Sequence, residues 1–257
     1  MNRIEKKYKE LGDKKALITY ITAGDPSLEK TEELIYAMEK GGADIIELGI
    51  PYSDPIADGP VIQAADQRAL DNGTNLFKIF EVVKNARKKT DVPLVFLIYF
   101  NTILTQGIEK FMKKCEETGV DGLIIPDLPL EERGEVIKFI KGSKIDLIPL
   151  VAPNSKERLK DIINCGGGGF VYCISSFGVT GVRNNFDVDL KSFLEEVRTV
   201  TTLPLAVGFG ISNREHVKDI HKIADGAIVG SAIVKLVHET SGETKIIENK
   251  VRELKGY

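Results

Sequence analysis

The sequence is poor in the residues that build metal sites and disulfide frameworks. Its three cysteines, Cys115, Cys165 and Cys173, are odd in number and widely spaced. They match neither a disulfide scaffold nor a C-x-x-C metal site. The three histidines, His216, His221 and His238, lack H-E-x-x-H spacing, so a histidine-based metal site is not expected. An excess of one charge is also missing. The 35 basic and 38 acidic residues leave a net charge of −3 and are mixed along the chain, so no basic face for nucleic acid is implied. The longest apolar run, Pro93–Phe100, is far too short to span a bilayer. Met1–Glu10 is rich in Lys and Glu and does not read as a signal peptide. Together these absences predict a soluble, reduced, cytoplasmic protein.

Apolar side chains make up 42% of the 257 residues, enough for a large core. They recur in eight short runs: Ala16–Thr22, Ala43–Ile50, Pro93–Phe100, Gly122–Pro126, Asp146–Val151, Gly169–Ser175, Leu203–Gly208 and Gly226–Val229. The runs are apolar on both faces, the pattern of parallel strands covered on both sides. Amphipathic stretches lie between them. Leu28–Lys40 puts Leu34, Ile35 and Met38 on one face, and Ile108–Thr118 and Leu190–Val200 repeat the pattern. Several helices end in similar Gly-containing turns, as at Gly41-Gly42-Ala43-Asp44 and Thr118-Gly119-Val120-Asp121. The run Gly166–Gly169 reads as one more helix-stopping turn.

Eight βα units with no linker between them predict an α/β fold: one (β/α)8 TIM-barrel domain over 1–257. Arg3–Leu11 is expected to be a helix capping its bottom. A doubly wound open sheet is the alternative, weakened because no G-x-G-x-x-G follows the first strand. In such barrels the active site lies at the C-terminal ends of the strands.

Glu47 stands in the second run, a carboxylate among apolar residues with Ile45 and Gly49 on its own face. Burial is expected to raise its pKa and let it exchange a proton near neutral pH. The competing reading is a core glutamate paired with a lysine. No other proposed strand carries a Lys or Arg to serve. Tyr52–Pro60 follows with two more acids, Asp58 and its rival Asp54, either of which can alternatively serve a turn or cap the helix that Pro60 opens. Two carboxylates in different surroundings can divide acid and base work. Thr22–Pro26 either lines the pocket rim or is a plain turn in which Asp25 caps the next helix.

Glycines gather after strands six, seven and eight: Gly178-Val179-Thr180-Gly181, Gly208-Phe209-Gly210-Ile211-Ser212 and Gly230-Ser231-Ala232-Ile233. Glycine lets backbone N–H groups approach an anion, and a helix N-terminus adds donors and a favourable dipole, so this corner is suited to phosphate. Ser176–Asn185 reads as a lid or as an ordinary solvated loop.

The stretch Ile46–Gly59, with its Leu48-Gly49-Ile50-Pro51-Tyr52-Ser53-Asp54-Pro55 core, closely resembles the signature of the tryptophan synthase alpha chain family. The resemblance extends over the whole chain through Tyr20–Pro26, Pro126-Asp127-Leu128-Pro129 and the glycine motifs. It implies a barrel lyase that cleaves indole-3-glycerol phosphate to indole and glyceraldehyde 3-phosphate. It implies Glu47 as the proton-transferring residue at indole C3 and Asp58 as the partner of the indole N–H. Gly181, Gly210, Gly230 and Ser231 match a backbone phosphate cradle, Thr180 a lid residue that orients Asp58, and Tyr20 and Tyr172 pocket positions. It also implies a beta-chain partner in an α2β2 heterotetramer, with pyridoxal phosphate belonging to that partner and no cofactor in this chain. Ser176 stands where the family's lid often has Arg. A different phosphosugar barrel isomerase and a non-catalytic activator of the beta chain are the alternatives.

Overall fold

A computed structural model of the chain describes residues 1–175, 183–208 and 210–257, with the backbone alone for 183–189. Among the described residues there are nine strands: β1 (Ala16–Thr22), β2 (Ile45–Gly49), β3 (Leu94–Leu97), β4 (Gly122–Ile124), β5 (Asp146–Leu147), β6 (Leu150–Val151), β7 (Val171–Ile174), β8 (Leu205–Gly208) and β9 (Gly226–Val229). They form one sheet in the order β5-β4-β3-β2-β1-β9-β8-β7-β6, and every pairing is parallel.

The two outermost strands are the two ends of a single run, 146–151. Ile148 N–H donates to the Leu123 carbonyl at 2.9 Å and Tyr172 N–H donates to the Pro149 carbonyl at 2.8 Å. The run therefore joins β4 on one side and β7 on the other. It breaks in the middle where Pro149 has no N–H to give. The nine strands thus close as eight staves, and the expected (β/α)8 barrel is the fold.

The helices are α1 (Arg3–Leu11), α2 (Leu28–Gly41), α3 (Pro60–Asp71), α4 (Leu76–Ala86), α5 (Phe100–Gln106), α6 (Ile108–Thr118), α7 (Arg133–Ile140), α8 (Leu159–Asn164), α9 (Arg183–Arg198), α10 (Arg214–Ile220), α11 (Ser231–Glu239) and α12 (Thr244–Lys255). Strand alternation sorts the core into two layers. Leu17, Ile21, Ile46, Leu48 and Phe96 face outward and pack against the helices. Ala16, Ile18, Ile45, Val95, Ile124, Ile148, Phe170, Ala206 and Ile228 fill the barrel, and Ile4 of α1 joins them. The N-terminal helix does cap the barrel, held by a capping box between Asn2 and Glu5. With the bottom filled by side chains, the upper end is where a site can open.

Some boundaries shift for local reasons. The third run gives strand only to Leu97 because α5 starts at Phe100, whose N–H donates to the Asp127 carboxylate at 2.7 Å. The helix after β1 is capped by Ser27, not by Asp25. Asp25 instead takes a two-pronged pair from Arg68 of α3, at 3.0 and 2.7 Å. Gly42 and Gly119 stop their helices in the left-handed conformation as expected. Among the described residues, no helix is long and apolar enough to cross a membrane, and no group of three or more His, Cys, Asp or Glu could hold a metal ion.

Candidate active site

Register places Glu47 between Tyr20 of β1 and Val95 of β3. Ile45, two residues earlier on the same face, belongs to the barrel interior, so Glu47 points inward just above the filled layers. It is 1% exposed, and its Oε1 has no hydrogen-bond partner. Among the described residues, then, no lysine pairs with Glu47, against the alternative of a lysine-paired core glutamate. Burial pushes its pKa up to about 8, and among the described residues no nearby charge or donor offsets the loss of water.

Glu47 lines a cavity of about 760 Å³ at the C-terminal mouth of the barrel, and Asp58 lines the same cavity. Asp58 comes from the β2–α3 connection. Gly59, not Asp58, occupies the cap position before Pro60, which leaves the Asp58 side chain free for another role. The Tyr99 hydroxyl donates to Asp58 Oδ2 at 2.7 Å and accepts the Ala57 N–H at 2.9 Å. Partial burial raises the Asp58 pKa, and the Tyr99 bond opposes that rise. The rival, Asp54, is exposed and accepts a 2.6 Å bond from the Ser53 hydroxyl.

The expected pocket residues converge on this cavity. Tyr20, Tyr172, Gly210, Gly230 and Ser231 all line it. Gly230 caps α11 and Ser231 is its first residue, so the helix N-terminus opens onto the cavity with its free N–H groups. Gly210 has a φ of 73° with open space beyond its Cα, so its backbone conformation rather than crowding calls for glycine. Gly208 and Gly49 are glycines for the opposite reason. A Cβ on Gly208 would collide with the Tyr172 ring, and one on Gly49 with the Tyr20 ring. Thr180, Gly181 and most of the lid stretch Ser176–Asn185, residues 176–182, lie outside the described residues, and the backbone of its last three begins α9.

The sequence reading missed two parts of the site. The apolar wall, including Leu97, Ile124, Leu150 and Ile174, comes from the inward positions near the strand ends. Those positions could have been listed by counting in twos along each strand. Tyr99 was also missed. It lies just past β3, buried, with its ring stacked on Tyr52 at 4.8 Å and 19° between planes. Nothing in the local pattern separates it from an ordinary core aromatic.

The cavity therefore joins an apolar wall, two acids in different environments and the N-terminus of α11. The family model for the tryptophan synthase alpha chain matches residues 6–256. The tryptophan synthase alpha chain of Alkaliphilus metalliredigens is 56% identical over 225 residues, covering 88% of this chain and 84% of its own. The crystal structure of tryptophan synthase subunit alpha from Legionella pneumophila superposes with a TM-score of 0.91 at 34% identity, over 99% of this chain and 97% of that one. A chain from the tryptophan synthase α2β2 complex of Pyrococcus furiosus gives 0.87 at 40% identity, over 94% and 98%. A match over nearly the whole length, by sequence and by structure, leaves one conclusion: the chain belongs to the tryptophan synthase alpha chain family.

Proposed function

We propose that Glu47 and Asp58 together cleave indole-3-glycerol phosphate to indole and glyceraldehyde 3-phosphate, the reaction of this family's alpha chain. The observation that carries this reading is the buried Glu47 carboxyl, whose Oε1 has no hydrogen-bond partner among the described residues, sharing one cavity with Asp58 and the α11 N-terminus. The phosphate sits at Gly210, Gly230 and Ser231, and the indole ring lies against Leu97, Ile124 and Leu150.

The chemistry follows from the two environments. With its pKa at about 8, Glu47 is mostly neutral at pH 7 and carries a proton to give. It delivers that proton to indole C3, the carbon that must leave. The ring becomes an indolenine with positive charge on nitrogen. Asp58, ionised and held by Tyr99, accepts the ring N–H and stabilises that charge. The Glu47 carboxylate then takes the proton of the hydroxyl on the adjacent side-chain carbon. The C–C bond breaks, its electrons restore the indole, and the oxygen becomes the aldehyde of the second product. Glu47 ends protonated as it began, so no proton is gained or lost overall. A placed proton donor of this kind contributes about 10²–10⁴ in rate.

Glu47→Gln and Asp58→Asn are each expected to lower indole release from indole-3-glycerol phosphate by at least about 10²-fold while circular dichroism stays that of the wild type. Wild-type turnover in either variant would remove that residue from the mechanism.

We place the chain in an α2β2 complex whose beta chain consumes the indole and carries the pyridoxal phosphate. The β2–α3 connection is the expected contact. Its Ile56 is an apolar side chain 85% exposed. One domain over 1–257, working in the cytoplasm, completes this reading.

A further inference from the structure

The start of α5 grips the connection that bears Asp58. Tyr99 occupies the cap position of that helix, yet its side chain makes no capping bond. It is turned instead to the β2–α3 connection. There its hydroxyl donates to Asp58 and accepts the Ala57 N–H, and its ring stacks on Tyr52. Two residues along, the Asn101 side-chain amide donates to the Tyr52 hydroxyl at 3.3 Å.

A Ser, Thr, Asp or Asn at position 99 would cap α5 locally. That position is held by a tyrosine that reaches Asp58, and the first N–H of the helix is left for a group from elsewhere. Asp127 supplies it. This residue follows the cavity-lining Pro126 just past β4, and its Oδ1 accepts the Phe100 N–H at 2.7 Å. Since β4 pairs with β3, the bond comes from the neighbouring stave of the barrel, not from the helix's own chain neighbours. A carboxylate on a helix-start N–H makes a charge-assisted bond, shorter and stronger than a neutral one. It fixes the backbone at Phe100, and with it the adjoining Tyr99. Among the described residues, Asp127 does not line the cavity.

We propose that Asp127 is a positioning residue for Asp58: by pinning the start of α5 it sets where the Tyr99 hydroxyl stands, and through that hydroxyl where the Asp58 carboxylate stands. This rests on the assignment of Asp58 given above. Asp127 touches no substrate atom. Its loss weakens stabilisation of the charge that develops on the indole nitrogen more than it weakens substrate binding.

The experiment is steady-state indole release by the full chain across a range of pH. Asp127→Ala removes the acceptor. It is expected to lower kcat about tenfold, the size of one hydrogen bond to a charged group, with KM within about twofold. The Tyr99 bond lowers the Asp58 pKa, so displacing the hydroxyl is also expected to move the acid limb of the kcat/KM profile to higher pH. A cap that served only the helix would lower Tm and leave that limb in place. Asp127→Asn keeps an oxygen for the Phe100 N–H and is expected to hold kcat within about threefold of wild type. In a Tyr99→Phe background Asp127→Ala is expected to cost no more than about twofold in kcat, because the route to Asp58 is already cut. Should Asp127→Ala fail to fold, Asp127→Glu keeps the charge and sets it one methylene further out, with an expected loss of about threefold in kcat and the same movement of the acid limb. A folded Asp127→Ala with wild-type kcat or an unmoved acid limb overturns the proposal. So does a full tenfold loss in the Tyr99→Phe background, an Asp127→Asn as impaired as the alanine variant, or an Asp127→Glu with wild-type kcat. Asp58→Asn, run beside them, separates the two claims. If it is inactive while Asp127→Ala is normal, only the positioning role fails. If it is itself normal, the assignment of Asp58 falls first.

Discussion

The Tyr99 hydroxyl stands 2.7 Å from Asp58 Oδ2, so the acid we propose for the indole nitrogen is held by a phenol from the next strand's end. Tyr99→Phe deletes that donor and leaves the ring stack. A hydrogen bond to a charged group contributes about 1.5–3 kcal/mol, so kcat is expected to fall at least about tenfold. The bond also lowers the Asp58 pKa. Its removal is expected to move the acid limb of the kcat/KM profile to higher pH. A profile that does not move would mean that Asp58 is not the group titrating there.

Stability is expected to report on Glu47 with a definite sign. The folded protein holds this proton up to about pH 8, whereas an exposed glutamate releases it near 4.5. Between those values the native state binds more protons than the unfolded one, so Glu47 makes stability fall as pH rises. Below about pH 4.5 both states are protonated and the effect vanishes. Glu47→Gln does not titrate. Its Tm relative to wild type should therefore climb from pH 5 to pH 8, by an amount on the order of a few kcal/mol in unfolding free energy. A constant difference across that range would show that Glu47 is ionised in the folded protein.

The Arg68–Asp25 pair should matter more than its partly exposed arginine implies. The Asp25 side chain is 3% exposed and the Arg68 side chain 29%. Arg68→Met leaves the aspartate buried and unpaired, which costs about 3–5 kcal/mol. Urea unfolding measures it. A loss below about 1 kcal/mol would mean the pair behaves as a surface bridge.

Gly208→Ala tests close packing against Tyr172. The added methyl collides with the Tyr172 ring and with its hydroxyl. Overpacking of this kind costs about 1–3 kcal/mol. Since Tyr172 lines the cavity, KM for indole-3-glycerol phosphate is expected to rise as well. An unchanged Tm and KM would show that the tyrosine has room to move.

Much of this molecule was legible in the chain because its parts repeat a simple rule. β1 and β9 coincide with apolar runs bounded by polar residues and glycine. Glu47 stood out because a carboxylate in such a run needs a reason to be there. The rest was hidden by long-range effects. The break at Ile148-Pro149 is two strand ends meeting two different neighbours, which no local pattern encodes. Asp25 looked like a cap because caps are local, yet its partner lies 43 residues away. Tyr99 looks like a core aromatic until the fold stacks it on Tyr52 and sets its hydroxyl against Asp58.

In the proposed reaction, burial keeps the Glu47 carboxyl protonated at neutral pH, ready to protonate the leaving carbon. Infrared difference spectra between wild type and Glu47→Gln, followed from pH 5 to pH 10, test it most directly. A protonated carboxylic acid band is expected that persists through pH 7, disappears with a midpoint at about 8 and is absent from the variant. A carboxylate band from Glu47 already present at pH 6 would contradict it.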